Sequence, residues 1–184
     1  MKHYVRIVLA LILCCLFTVG CSSRVGPDEA MMEPLDGPGY AVRQYLDAWI
    51  ASDYDMVSKL MDQENPVPNS SLWQYQLMRS LLARDTYKVG ATTVKGDTAE
   101  VAVAITAVDC RAIAARMGTN RSREDWSNAI SDPQATTTTL NVTLRLRKKD
   151  KSWIIAAAQD ADVMDALTGG LNVVIMDIQQ GGYD

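Results

Sequence analysis

Leu140, Val142, Leu144 and Leu146 alternate without interruption with Asn141, Thr143, Arg145 and Arg147. A period of two puts all four apolar side chains on one face of an extended strand and all four polar ones on the other. The chain must therefore build a sheet that is covered on one side and wet on the other. "KKDK" at Lys148 to Lys151 turns this strand into Ser152 to Gln159, a small-residue strand carrying Trp153, Ile154 and Ile155. Upstream, Thr86 to Val94 is rich in β-branched residues, "KGD" at Lys95 to Asp97 makes a tight turn, and Val101, Val103 and Ile105 alternate on the return. This predicts a second hairpin.

The rest of the chain has a longer period. Tyr40, Ala41, Tyr45, Ala48 and Trp49 recur at steps of three and four, opposite Arg43, Gln44 and Asp47, which predicts an amphipathic helix. Ser52 and Asp53 break it and start another, striped by Met56, Val57, Leu60 and Met61, which Pro66 and Pro68 stop. Helical spacing resumes from Ser70 to Arg84. Between the hairpins, Cys110 to Met117 and Arg123 to Ile130 read as a helical insert, with Ser122 as N-cap and Asp125 completing a capping box. Beyond Asp160, Val163, Met164 and Leu167 suggest a short helix ended by Gly169-Gly170. Leu171 to Ile178 fits helix or strand equally, and "QQGGYD" at 179–184 reads as a disordered tail.

The first 20 residues read as an export signal: Lys2 and Arg6, then apolar Ile7 to Val19, then Gly20 before Cys21. The run is short for a bilayer span, which takes about 20 apolar residues. Thr18-Val19-Gly20-Cys21 resembles the lipobox of bacterial lipoproteins, with Thr18 where that family has Leu, Val or Ile. The resemblance implies that the Cys21 thiol carries diacylglycerol and that the chain is cut before it; the alternative is an uncleaved anchor. Residues 22–39 then form a proline-bearing tether spanning roughly 25 Å as a flexible coil. The expected organisation is signal 1–20, lipidated cysteine and tether 21–39, one domain 40–178 and tail 179–184. Cys14 and Cys15 go with the signal, leaving Cys110 as a lone thiol, expected buried and inert.

Helices first, then two hairpins flanking a helical insert, make an α+β layer in which helices cover one face of a curved antiparallel sheet. "YAVRQYLDAWIASDYDMVSKLM" (Tyr40 to Met61) and "LNVTLRLRKKDKSWII" (Leu140 to Ile155) are similar to the nuclear transport factor 2-like superfamily, the cone-shaped fold of ketosteroid isomerases and scytalone dehydratases. The resemblance implies a cone with a mouth and, in its enzymes, an inward Asp with a Tyr or His. Asp109 and Asp160 stand at strand ends where such an acid would sit, and equally where a turn or cap residue sits. Tyr45, Trp49, Tyr87 and Trp153 are the candidate ligand-binding residues of that mouth, and the same spacing also suits a core.

Composition narrows the chemistry. The only histidine, His3, lies in the signal, so a cleaved chain has no imidazole for Ser-His-Asp triads, Cys-His pairs or His-ligated zinc. Asp160, Asp162 and Asp165 invite a calcium reading, but Met164 and Asp165 occupy the fifth and sixth loop positions, the latter reserved for Gly. No cofactor and no metal are expected. Losing Lys2 and Arg6 from 18 basic residues leaves 16 against 22 acidic ones, a charge of −6, which argues against nucleic acid. Arg145, Arg147, Lys148, Lys149 and Lys151 form a basic hairpin end that suits an acidic partner or anionic headgroups, and suits a plain solvated strand face better. The leading expectation is a non-catalytic binding or assembly module, held by its N-terminal lipid outside the cytoplasm on the cell membrane or outer membrane. Its expected partners are the membrane, an envelope protein, and a second copy meeting it through the sheet. The alternatives are a small apolar ligand in the cone and, behind it, an isomerase- or dehydratase-type enzyme.

Overall fold

The alternating stretch forms the middle of β3 (Thr137–Lys149), which pairs antiparallel with β2 (Thr98–Val108) and β4 (Ser152–Ile155), while β1 (Thr86–Lys95) completes an open meander in the order β1-β2-β3-β4. This computed structural model describes residues 36–61, 71–118, 121–156 and 161–180. In the register, Val101 faces Leu144, Val103 faces Val142 and Ile105 faces Leu140, so the apolar halves of both strands share one side. Val101, Val103, Ile105, Leu144 and Leu146 are buried there, each side chain contributing about 1.5–3 kcal/mol by leaving water. β4 is shorter than the expected Ser152 to Gln159, and 157–160 lie outside the described residues.

β1 changes character partway along. Val89 faces Val103 but Thr92 faces Val101, so one extra residue is inserted at a bulge containing Gly90. The insertion reverses the inside-outside parity, putting Thr92 and Val94 opposite Val101 and Ala99. Before the bulge Tyr87 and Val89 are half-buried against the core; after it every residue of β1 is exposed. This half of β1 is thus exposed, although its β2 partners Val101 and Ala99 stay buried.

Seven helices are seen among the described residues: α1 (Pro38–Ile50), α2 (Tyr54–Met61), α3 (Leu72–Leu82), α4 (Cys110–Met117), α5 (Arg123–Ser131), α6 (Ala161–Thr168) and α7 (Leu171–Gln180). Pro38 opens α1, where a missing N–H costs nothing. Ser52, with φ of 57°, breaks α1 from α2, and the Asp53 carboxylate caps α2 by accepting from the Met56 N–H at 3.0 Å. α1 packs on β1, β2 and β4, α2 on β4, and α6 across β2 and β3, while α3 touches β2, α5 and α6. The molecule is therefore an α+β layer over an open four-stranded antiparallel sheet, with a helical insert between β2 and β3.

The insert and the C-terminal extension pack together. The capping box predicted at Ser122 is formed: Ser122 N–H donates to Asp125 Oδ2 at 3.0 Å and Asp125 N–H to Ser122 Oγ at 3.2 Å. These bonds from Ser122 hold the Asp125 carboxyl below its ordinary range. α4 rests on α7, and the fully buried Trp126 of α5 donates its indole N–H to Asp177 Oδ2 at 3.0 Å. That partner resolves the ambiguity at Leu171 to Ile178 in favour of a helix, because Leu171, Val174 and Ile178 enter the common core at steps of three and four. Gly169 ties the extension to the sheet. Its φ is 55°, and a Cβ there would fall 1.8 Å from the Val108 carbonyl oxygen, so only glycine allows the Cys110 N–H to reach Gly169 O at 2.9 Å. Cys21 and tether residues 22–35 lie outside the described residues, whereas Pro38 and Gly39, expected in the tether, are the buried start of α1, where proline fits the first helical turn. Among the described residues no helix is long and apolar enough to cross a membrane.

Candidate functional site

The four aromatic residues singled out by spacing take three different places. Tyr45 and Trp49 lie one turn apart on α1, fully buried, with rings 6.3 Å apart and edge-to-face. Trp49 continues the stack to Tyr54 at 5.7 Å, and Tyr54 to Tyr75 at 5.7 Å. Burial pushes the Tyr45 hydroxyl up to about 12, against a smaller pull from the neighbouring Trp49 indole, so it stays protonated. Tyr87 stands on β1 and donates its hydroxyl to Asp47 Oδ1 at 2.7 Å; burial first, then that carboxylate, raises it above the ordinary tyrosine range. Trp153 stands on β4, the opposite edge of the sheet, where it lines a groove of about 240 Å³ with Tyr40, Gln44, Leu60 and Lys151. The fold brings Tyr45 and Trp49 together and holds Tyr87 and Trp153 on separate edges.

Of the candidate acids, Asp109 caps α4, accepting from the Ala112 N–H at 2.9 Å. Asp165 pairs with Arg111 at 2.5 Å, and Asp160 lies outside the described residues. The acid that the periodicity does not mark is Asp85, between α3 and β1. It is 6% exposed, neither carboxylate oxygen has a hydrogen-bond partner, and desolvation pushes the group up to about 8. Its neighbour Arg84 turns the other way, bonding the Ile130 carbonyl and that of Asp132 at the end of α5. Cys110 is likewise enclosed, and burial pushes its thiol up to about 12, so it is held as an unreactive thiol.

The uncovered side of the sheet has a different composition. Across β1, β2 and β3 its rows read Thr86-Thr106-Thr139, Lys88-Ala104-Asn141 and Thr93-Glu100-Arg145. Thr106 and Thr139 share a hydroxyl hydrogen bond at 2.7 Å, and Arg145 approaches Glu100 at 3.8 Å with both side chains more than half exposed. Two hollows follow one another along β2 and β3. The first, about 240 Å³, lies among Lys88, Gly90, Ala102, Ala104, Asn141 and Thr143. The second, about 350 Å³, is bordered by Thr93, Lys95, Glu100, Arg145, Arg147 and Ala156 at the hairpin ends. The first hollow exists because Gly90, Ala102 and Ala104 carry little or no side chain between the longer Lys88, Asn141 and Thr143. Such a surface can offer hydrogen bonds and positive charge to a partner. No protein-family model, no curated protein and no solved structure matches the chain.

Proposed function

We propose that this protein is a non-catalytic binding or assembly module of a bacterial envelope, anchored outside the cytoplasm by lipid on Cys21, built on a nuclear transport factor 2-like cone, and docking through the uncovered face of its sheet. The carrying observation is the contrast in side-chain use. Large aromatic residues fill the interior under α1, while the hollowed, hydroxyl-rich and basic surface across β1, β2 and β3 is left to solvent. Cys110 is buried with its thiol pushed up to about 12, which suits packing better than nucleophilic chemistry. The groove beside Trp153 supports the second reading, a small apolar ligand at the cone mouth, with an enzyme of the isomerase or dehydratase kind behind it.

Two measurements test the proposal. In cells fed labelled palmitate, Cys21→Ser is expected to abolish acyl labelling and move the protein out of the membrane fraction; unchanged labelling removes the anchor. A photo-crosslinking residue at Thr143, on the uncovered sheet face, is expected to give a higher-mass adduct in native membranes, whereas one at the exposed Asp55 of α2 gives none. Adducts at Asp55 and none at Thr143 remove the docking role. An adduct made of two copies of this chain assigns the face to self-association.

A further inference from the structure

We infer that the basic end of the sheet receives an acidic segment of a partner protein, lying extended along β2 and β3; the inference rests on the docking role proposed above. The charge of the chain is divided unevenly. Residues 86–108 and 137–155, the four strands and their turns, hold seven cations from Lys88 to Lys151 and three acids, Asp97, Glu100 and Asp150, a balance of +4. The remainder of residues 21–184 holds nine cations and 19 acids, a balance of −10. An anionic partner is therefore drawn to the sheet and repelled elsewhere, which sets its orientation before contact.

The shape of the face favours a polypeptide. The two hollows run from Ala104 to Thr98 along β2, about 20 Å of strand, enough for about six extended residues. Small Gly90, Ala102 and Ala104 leave room for a backbone, with Asn141 and Thr143 beside them to take its hydrogen bonds. The Arg145 and Glu100 pair is long and exposed, so Arg145 can exchange Glu100 for a partner's carboxylate at little cost. Arg147 and Lys149 have interactions inside the protein as well and contribute to the local field. A lipid surface fits less well. The large exposed apolar residues among those described are Met56, Leu72, Val94 and Met176, and the only one on the sheet, Val94, shares the side of Ala99 rather than the basic side. The face thus has no wedge to insert between headgroups, and the acidic remainder opposes anionic ones.

The test is fluorescence anisotropy with the full-length protein and a labelled Glu-Ala repeat peptide, with a Lys-Ala repeat as comparison. The expected result is binding of the acidic peptide alone, weakened by salt and by about tenfold or more in R145E/R147E, while K59E on α2 leaves it unchanged. Circular dichroism reports whether the double variant folds; if it does not, K88Q and R145Q singly are expected to show smaller losses of the same sign. Equal affinity in wild type and the folded variants, or equal loss in K59E, overturns the inference. So does capture by phosphatidylglycerol vesicles that the acidic peptide fails to compete away. Adducts at Thr143 without peptide binding leave the docking role standing and overturn the acidic partner. Binding that survives Cys21→Ser supports the inference independently of the anchor.

Discussion

Val101 and Leu144 face each other across β2 and β3, and their immediate neighbours Ala102 and Thr143 do the same on the opposite side. The first pair is buried under the helices, and the second is exposed. Neighbouring positions with almost the same backbone thus serve opposite ends. On the covered side, fit decides what is tolerated, because the core is close-packed and a vacated volume is only partly refilled. On the uncovered side charge and hydrogen-bonding capacity matter, and volume matters little. The bulge in β1 marks where one regime gives way to the other, since beyond Gly90 the strand is exposed on both faces.

The contrast is broken most strongly by opening the covered side. Leu144→Ala is expected to lower unfolding stability by about 2–5 kcal/mol in urea titration, through lost burial and a residual cavity. A cost below the level of ordinary surface substitutions would mean that the covered face is loosely filled.

Asp85 gives the next effect, because it is the polar exception within the covered region. Its folded value lies near 8 and an unfolded aspartate near about 3.9, so between these values the unfolded state releases a proton that the folded state keeps. Stability is then greatest below about pH 4 for this group and falls as pH rises toward 8, by at most about 1.4 kcal/mol per pH unit. Asp85→Asn is expected to flatten that part of the profile in urea melts taken across this range. A wild-type profile that rises with pH there would mean that the carboxylate has a partner in solution.

The smallest effect sharpens the comparison from the other side. Thr143→Ala is expected to change stability by no more than about 0.5 kcal/mol, the range of surface substitutions free of special contacts. A loss approaching that of Leu144→Ala would mean that the face is covered in the free protein.

The elements were largely legible in the residue pattern. The strict alternation at Leu140 to Arg147 and the four-step spacing at Tyr40 to Trp49 depend on neighbours two to four positions away, and such neighbours are visible in any linear reading. The same holds for the Ser122 and Asp125 capping box and the break at Ser52. The candidate site was less legible. Tyr45, Trp49, Tyr87 and Trp153 share a residue type but not a location, because β1 and β4 became opposite edges of the sheet. The hollows needed the register that sets Gly90, Ala102 and Thr143 side by side from three strands.

By itself, the order of residues determined most of the helix and strand segments before Asp160, which side of each is apolar, and how unevenly charge is shared between the strands and the rest. Tertiary structure alone decided that Trp126 meets Asp177, that Leu171 to Gln180 is a helix against the insert, and that Asp85 loses its water while Arg84 beside it finds carbonyls. Periodicity records what a residue's near neighbours require. Desolvation and pairing depend on groups such as Asp177, 51 positions from Trp126, that come close only once the chain has closed on itself.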